Sequence, residues 1–404
     1  MSEPLGTPKA RQSQVEFIAM LAIIFAVIAF SIDSMLPALP EIARLLSPDN
    51  VNRAQLVLTV FVGGMGLGVF VAGPLSDAYG RKPIITLGFA IYALAAIAAV
   101  FANSLEMLLI ARFVQGLGAA GPRIVSQALV RDLYEGREMA RITSFVMMIF
   151  ILVPAIAPSL GAVLIHFVGW RGVFGAFVLL ALIGSVWLNL RQAETLPPER
   201  RRPMNLTNLM ASAREVLGNR QVQLVTVVMT LGFGQMFALL SSAQQLFSET
   251  YHKGAEFPFW FAAMALLSGI GTVFNARYVV RLGMRRIVVG AYAMQVVVSS
   301  VMAVLVLADL LPEPLRFPAF FIWAVSVFFM AGVTFGNLNA MALQQMGHVA
   351  GMAASVIAAV STIGAVLIAA PVGLLYDGSA RPVIIATLIC SGLALWLMRS
   401  INEV

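Results

Sequence analysis

Residues 15–39 read VEFIAMLAIIFAVIAFSIDSMLPAL, an apolar run with a single carboxylate, Asp33, in its interior. About 20 apolar residues suffice to cross a bilayer, so this stretch is long enough to be a span. An ionised side chain deep in hydrocarbon is costly, and an acid in that position marks an ion or substrate path. Eleven more apolar stretches follow, at roughly 54–73, 83–102, 107–129, 142–166, 171–190, 221–247, 256–277, 284–308, 317–341, 350–375 and 381–398. Backbone polar groups in lipid must be satisfied within the segment, which favours helices here. The expected fold is therefore all-α and integral to the membrane, with twelve transmembrane helices. The first run is long and holds Asp33, so it is read as a span rather than a cleaved signal peptide.

Composition supports this and excludes other classes. The chain is 60% hydrophobic and 11% charged, with mean hydropathy +0.91, against about 25% charged residues in a soluble domain. A net charge of +7 is compatible with a nucleic-acid partner, but the basic residues alternate with topology instead. With the N-terminus in the cytoplasm, 18 of the 26 Lys and Arg fall on the cytoplasmic side. Six fall opposite (Arg44, Arg53, Arg171, Lys253, Arg316 and Arg381), and Arg112 and Arg123 lie within a span. That is the positive-inside pattern. The expected setting is the bacterial cytoplasmic (inner) membrane, with both termini cytoplasmic and no nucleic-acid partner. Cys390 is the only cysteine, so no intrachain disulfide can form.

The longest connection, 191–220, carries Pro197, Pro198, Pro203 and the run Arg200, Arg201, Arg202, and then a stretch that could form a surface helix. It divides the chain into a six-helix bundle (1–190), a cytoplasmic linker (191–220) and a second six-helix bundle (221–404). Two related halves are a common plan among transporters.

After the second span comes GPLSDAYGRK, residues 73–82. Gly73 allows close helix approach, and Gly80 permits a positive φ in a tight turn. Asp77 can cap or pair, with Arg81 and Lys82 beside it. The pattern resembles the signature loop of the major facilitator superfamily. The second half repeats it in degenerate form, keeping Gly283, Met284, Arg285 and Arg286 but holding Val280 in place of the acid. The span-four run RFVQGLGAA from Arg112 resembles that superfamily's span-four motif. Arg123 returns to nearly the same helix face about three turns later, with Gln115 and Ser126 near the stripe. In span five, Pro154, Pro158 and Gly161 resemble the proline/glycine motif of the drug–proton antiporter branch, with Ala157 and Ala162 departing from its glycines. Proline lacks a backbone donor and is expected to bend that helix. The run DSMLPALP from Asp33, RDLY from Arg131 and SFVMM from Ser144 resemble the Bcr/CflA drug-resistance family.

That resemblance implies two six-helix bundles of the major facilitator fold. It also implies proton-coupled export of amphipathic drugs of bicyclomycin or chloramphenicol type by alternating access. Asp33 is expected to carry the proton, its affinity set by desolvation and by the changing proximity of Arg112 or Arg123. Arg123, Gln115, Ser126, Gln235 and Asn337 are expected to line the substrate cavity. Residues Gly73, Asp77, Gly80, Arg81 and Lys82 are expected to latch the conformation, with Arg131 or Asp132 across the next loop. A proton-coupled importer, or an exporter dedicated to one metabolite or siderophore, would use the same fold. Drugs, protons and the bilayer are the expected partners, and a monomer the expected functional unit. No cofactor, metal site or enzyme motif is read from the sequence. His166, His252 and His348 fall at span ends or in loops, and most of the 21 methionines are read as core filling.

Overall fold

The computed structural model describes residues 13–201, 206–344, 346 and 350–401. Lys9, Arg11, Arg202, Pro203 and His348 lie outside the described residues, as do the side chains of Ser144, Met147 and Met148. The helices are α1 (Gln14–Asp33), α2 (Leu39–Leu46), α3 (Leu56–Tyr79), α4 (Arg81–Val100), α5 (Leu105–Leu133), α6 (Gly136–Arg191) and α7 (Leu206–Gly218). They continue as α8 (Arg220–Gln245), α9 (Phe257–Leu282), α10 (Met284–Leu307), α11 (Glu313–Leu343), α12 (Ala350–Leu374) and α13 (Arg381–Arg399). No strand occurs among the described residues.

Eleven of these segments are long and apolar enough to cross a membrane, α1 and α2 counting together as one. The twelfth span comes from dividing α6. At 56 residues it would extend about 84 Å if straight, far beyond a hydrocarbon core of about 30 Å. Gly169 breaks it, with φ 70° and ψ 176°, so residues 136–168 and 170–191 form separate spans. Pro154 and Pro158 lie inside the helix without leaving helical backbone angles. The break falls at the residue without a Cβ, eleven residues after Pro158.

Helices before the linker pack on one another through α3 with α5, α4 with α5, α1 with α6 and α4 with α6. Those after it pack through α8 with α12, α10 with α13, α9 with α11 and α8 with α13. The two halves meet where α3 lies on α12 and α6 on α9. The linker helix α7 rests on α8 and α12. Close backbone approach inside the first half depends on small residues: a Cβ at Gly64 would sit 2.1 Å from the Phe113 carbonyl oxygen. Large apolar side chains such as Phe167 (77% exposed) and Leu367 (72%) point outward, as lipid-facing surfaces require.

Candidate functional site

The first span is discontinuous at the position of the acid. Helix α1 ends at Asp33, and a turn at Ser34 and Met35 leads into a short 3-10 segment, Leu36–Ala38, with Pro37 in its first turn. Pro37 and Pro40 lack backbone donors, so the ladder cannot run through them unbroken. The last carbonyls of a helix need outside partners. The Phe30 carbonyl accepts from the Ser34 amide at 3.0 Å and from its hydroxyl at 2.5 Å. Gly161 of α6 packs against this break: a Cβ there would lie 2.2 Å from the Ser34 carbonyl oxygen. The span-five motif thus seats α6 on the turn that follows Asp33.

Asp33 is 6% exposed, and among the described residues neither a hydrogen bond nor an ion pair reaches its carboxyl group. The expected pairing with Arg112 or Arg123 is not made in this state. Arg112 is fully buried and spends its donors elsewhere. Its Nε donates to the Val57 carbonyl at 3.1 Å, one terminal nitrogen to Gln115 Oε1 at 2.7 Å, and the other to the Ser31 carbonyl at 3.1 Å. Its guanidinium lies 4.2 Å from the Phe61 ring centroid, a favourable cation–π distance. Ser31 stands two residues before Asp33, and its hydroxyl contacts the Tyr92 hydroxyl of α4. Arg112 is therefore a cap on the broken end of α1, where a cation also suits the negative end of the helix dipole. It ties together α1, α3 and α5.

The residues expected to line one cavity are not brought together. Gln115, Ser126 and Gln235 have no exposed surface, so they cannot face an open cavity in this state. Gln115 serves Arg112. Gln235 accepts from Ser391 of α13 at 2.7 Å, inside the second half. Asn337 donates to Asn275 of α9 at 2.7 Å and to the Val333 carbonyl. Arg123 stays partly exposed and touches the Met65 sulfur at 3.2 Å. Helical spacing gave the stripe but not its neighbours, and each of these polar groups found a partner within its own half or none.

The signature loop forms a tight corner, with Gly80 at φ 109° between α3 and α4. Arg81 binds Asp77 at 2.5 Å, Ser76 at 2.7 Å and Asp132 at 3.0 Å. Lys82 reaches the Asn189 carbonyl at 2.9 Å. Gly73 lies where α3 meets α12, its hypothetical Cβ 3.0 Å from Ser355 Oγ. Sequence reasoning missed Glu194, whose carboxylate accepts from the backbone amides of Arg81, Lys82, Thr195 and Leu196. It caps the start of α4 from beyond α6. The available signal was an acid just past the end of span six.

A second set of residues, also missed, joins the halves at the opposite end. Asn52 donates to the carbonyls of Leu374 (3.2 Å) and Tyr376 (2.8 Å). Gln55 bonds Gln245 and accepts from Ser242 at 3.0 Å, and Gln245 donates to Asn52 at 3.0 Å. Among the described residues, the hydrogen bonds between halves cluster at this end, away from the linker, which closes the interface there.

Comparison with known proteins adds the following. The model of the Major Facilitator Superfamily matches residues 21–370. The bicyclomycin resistance protein homolog of Haemophilus influenzae is 30% identical over 364 residues, 88% of this chain and 89% of that protein. The chloramphenicol resistance protein of Pseudomonas aeruginosa is 34% identical over 158 residues, 39% of this chain and 37% of that one. A crystal structure of a D-xylose-proton symporter superposes with TM-score 0.72 at 13% identity, covering 96% of this chain and 97% of the other. At that identity it speaks to fold alone.

Proposed function

The chain belongs to the Major Facilitator Superfamily, and on that premise we propose that it exports amphipathic drugs in exchange for protons. It is a multi-pass membrane transporter with drug-resistance relatives, and not an enzyme. The observation that carries proton exchange is Asp33: a buried carboxyl without a partner, at the break of a span. A charge held there without counterion or donor is costly, so the site is occupied most favourably by the neutral acid. When the halves rock and water reaches the break, the carboxylate is solvated and the proton leaves. Arg112 keeps the broken end of α1 in place through the cycle instead of neutralising Asp33.

In this reading the protein works as a monomer in a bacterial inner membrane with both ends in the cytoplasm. The bonds of Asn52, Gln55, Ser242 and Gln245 then close the outer side. Relatives named for bicyclomycin and chloramphenicol resistance support amphipathic drugs as cargo. Everted membrane vesicles with a quenched pH-gradient dye test the proposal. Drug should dissipate the gradient with wild type and not with Asp33→Asn. If no drug does so while right-side-out cells accumulate labelled solutes, the protein is an importer.

A further inference from the structure

Arg123 is a cation at mid-span that the chain does not neutralise. It stands ten residues before the end of α5 at Leu133. That is about 15 Å along the helix, near the middle of a hydrocarbon core of about 30 Å. Its guanidinium stays charged at any physiological pH. Among the described residues its one polar contact is the Met65 sulfur at 3.2 Å, a weak acceptor, and no acid pairs with it. The two acids of α5 sit near its ends and are taken, Glu106 by Arg53 at 2.8 Å and Asp132 by Arg81 at 3.0 Å. Asp33 makes no ion pair, and Arg112, the other arginine of this span, is committed to its three acceptors.

Arg123 is nevertheless partly exposed, and Gln127 and Arg131, which follow it at one-turn intervals, are exposed. The surface at Arg123 is not turned to lipid. Met107, Ile110 and Val114 mark the lipid-facing side of α5, where with Leu94 of α4 they form an exposed apolar patch. At about 100° per residue, Arg123 lies about 140–180° round the helix from all three. Its exposure is therefore to the interior of the protein, and a polar track runs from it to the end of α5. A charged side chain wetted at that depth marks an ion or substrate path.

We propose that Arg123 is a specificity-determining residue that binds a carboxylate or similar anionic oxygen group on the cargo. The preferred cargo is then an acid carried on an apolar body. The planar guanidinium presents paired donors that match the two oxygens of a carboxylate, and the cargo brings the counter-charge that the span lacks. The inference rests on the export reading only in taking this track as the cargo path.

Equilibrium dialysis of the purified full-length protein at neutral pH tests it, with a matched pair of ligands, naphthylacetate and naphthylacetamide. Wild type should bind the acid about tenfold more tightly than the amide, the equivalent of about 1.4 kcal/mol. Arg123→Gln should abolish that preference by weakening the acid alone, and Arg123→Lys, which restores a charge, should recover part of it. Equal binding of acid and amide by wild type overturns the proposal without any variant. So does an Arg123→Gln protein that keeps the preference, or an Arg123→Lys protein that recovers none of it. If the preference holds but drug moves no protons in the vesicle assay, the export reading fails and the anion site stands. If neutral drugs dissipate the gradient while the acid is not preferred, the anion site alone fails.

Discussion

Replacing Arg112 with lysine separates the capping role from a purely electrostatic one. The guanidinium reaches three acceptors on three helices, at 3.1 Å, 2.7 Å and 3.1 Å. A lysine ammonium keeps the charge but is a compact point at the end of a single stem, without the planar fork. It can serve one of the three and leaves two buried acceptors unmet. Hydrogen bonds to charged groups contribute about 1.5–3 kcal/mol each, so Arg112→Lys should cost about 3–6 kcal/mol. Loss of stacking on Phe61 adds to this. The assay is thermal unfolding in detergent followed by helical circular dichroism, alongside drug-dependent proton flux in vesicles. Arg112→Lys should lose most of the stability that Arg112→Ala loses, with proton flux falling in parallel. If Arg112→Lys melts with wild type while Arg112→Ala falls, the positive charge alone matters and the capping argument is wrong.

Gly161→Ala places a methyl 2.2 Å from the Ser34 carbonyl oxygen, so α1 and α6 must part by about 1 Å, at about 1–3 kcal/mol for overpacking. Gly175→Ala, with nothing within 4 Å, is the control, and equal melting of the two variants would count against the contact. Cysteines at Gln55 and Gln245, in a Cys390→Ser background, should cross-link on oxidation and stop transport. Undiminished transport by fully cross-linked protein would show that this end need not open. Glu194→Gln removes the charge that caps α4 and should destabilise the protein by about 1–2 kcal/mol, read in the same melting assay. No change there would mean that the neutral amide caps as well.

The twelve spans are legible because lipid imposes one strong rule: each crossing must be a long apolar helix that bonds its own backbone. The break at Gly169 is legible too, as the short gap between the fifth and sixth apolar stretches. Asp33 stands out because charge in such a stretch is rare. What Arg112 does is not legible, since two of its three acceptors are backbone carbonyls, Ser31 and Val57, and any residue type supplies those. Glu194 and the loop it caps are more than a hundred residues apart in sequence, and Gln55 and Gln245 are 190 apart. Neutral amides at span ends look like ordinary surface until two halves meet on them. Gln235 and Asn337 read as cavity residues from polarity alone, but the packing of α8 on α13 and α11 on α9 turns them toward their own half.

The central claim is that Asp33 holds the proton that drug displaces. Purified protein in weakly buffered detergent with a pH indicator tests it most directly, with drug binding measured on the same samples. Wild type should release protons when a bound drug is added, and Asp33→Asn should still bind drug but release none. Proton release by Asp33→Asn equal to that of wild type would place the exchanged proton on another group and contradict the account.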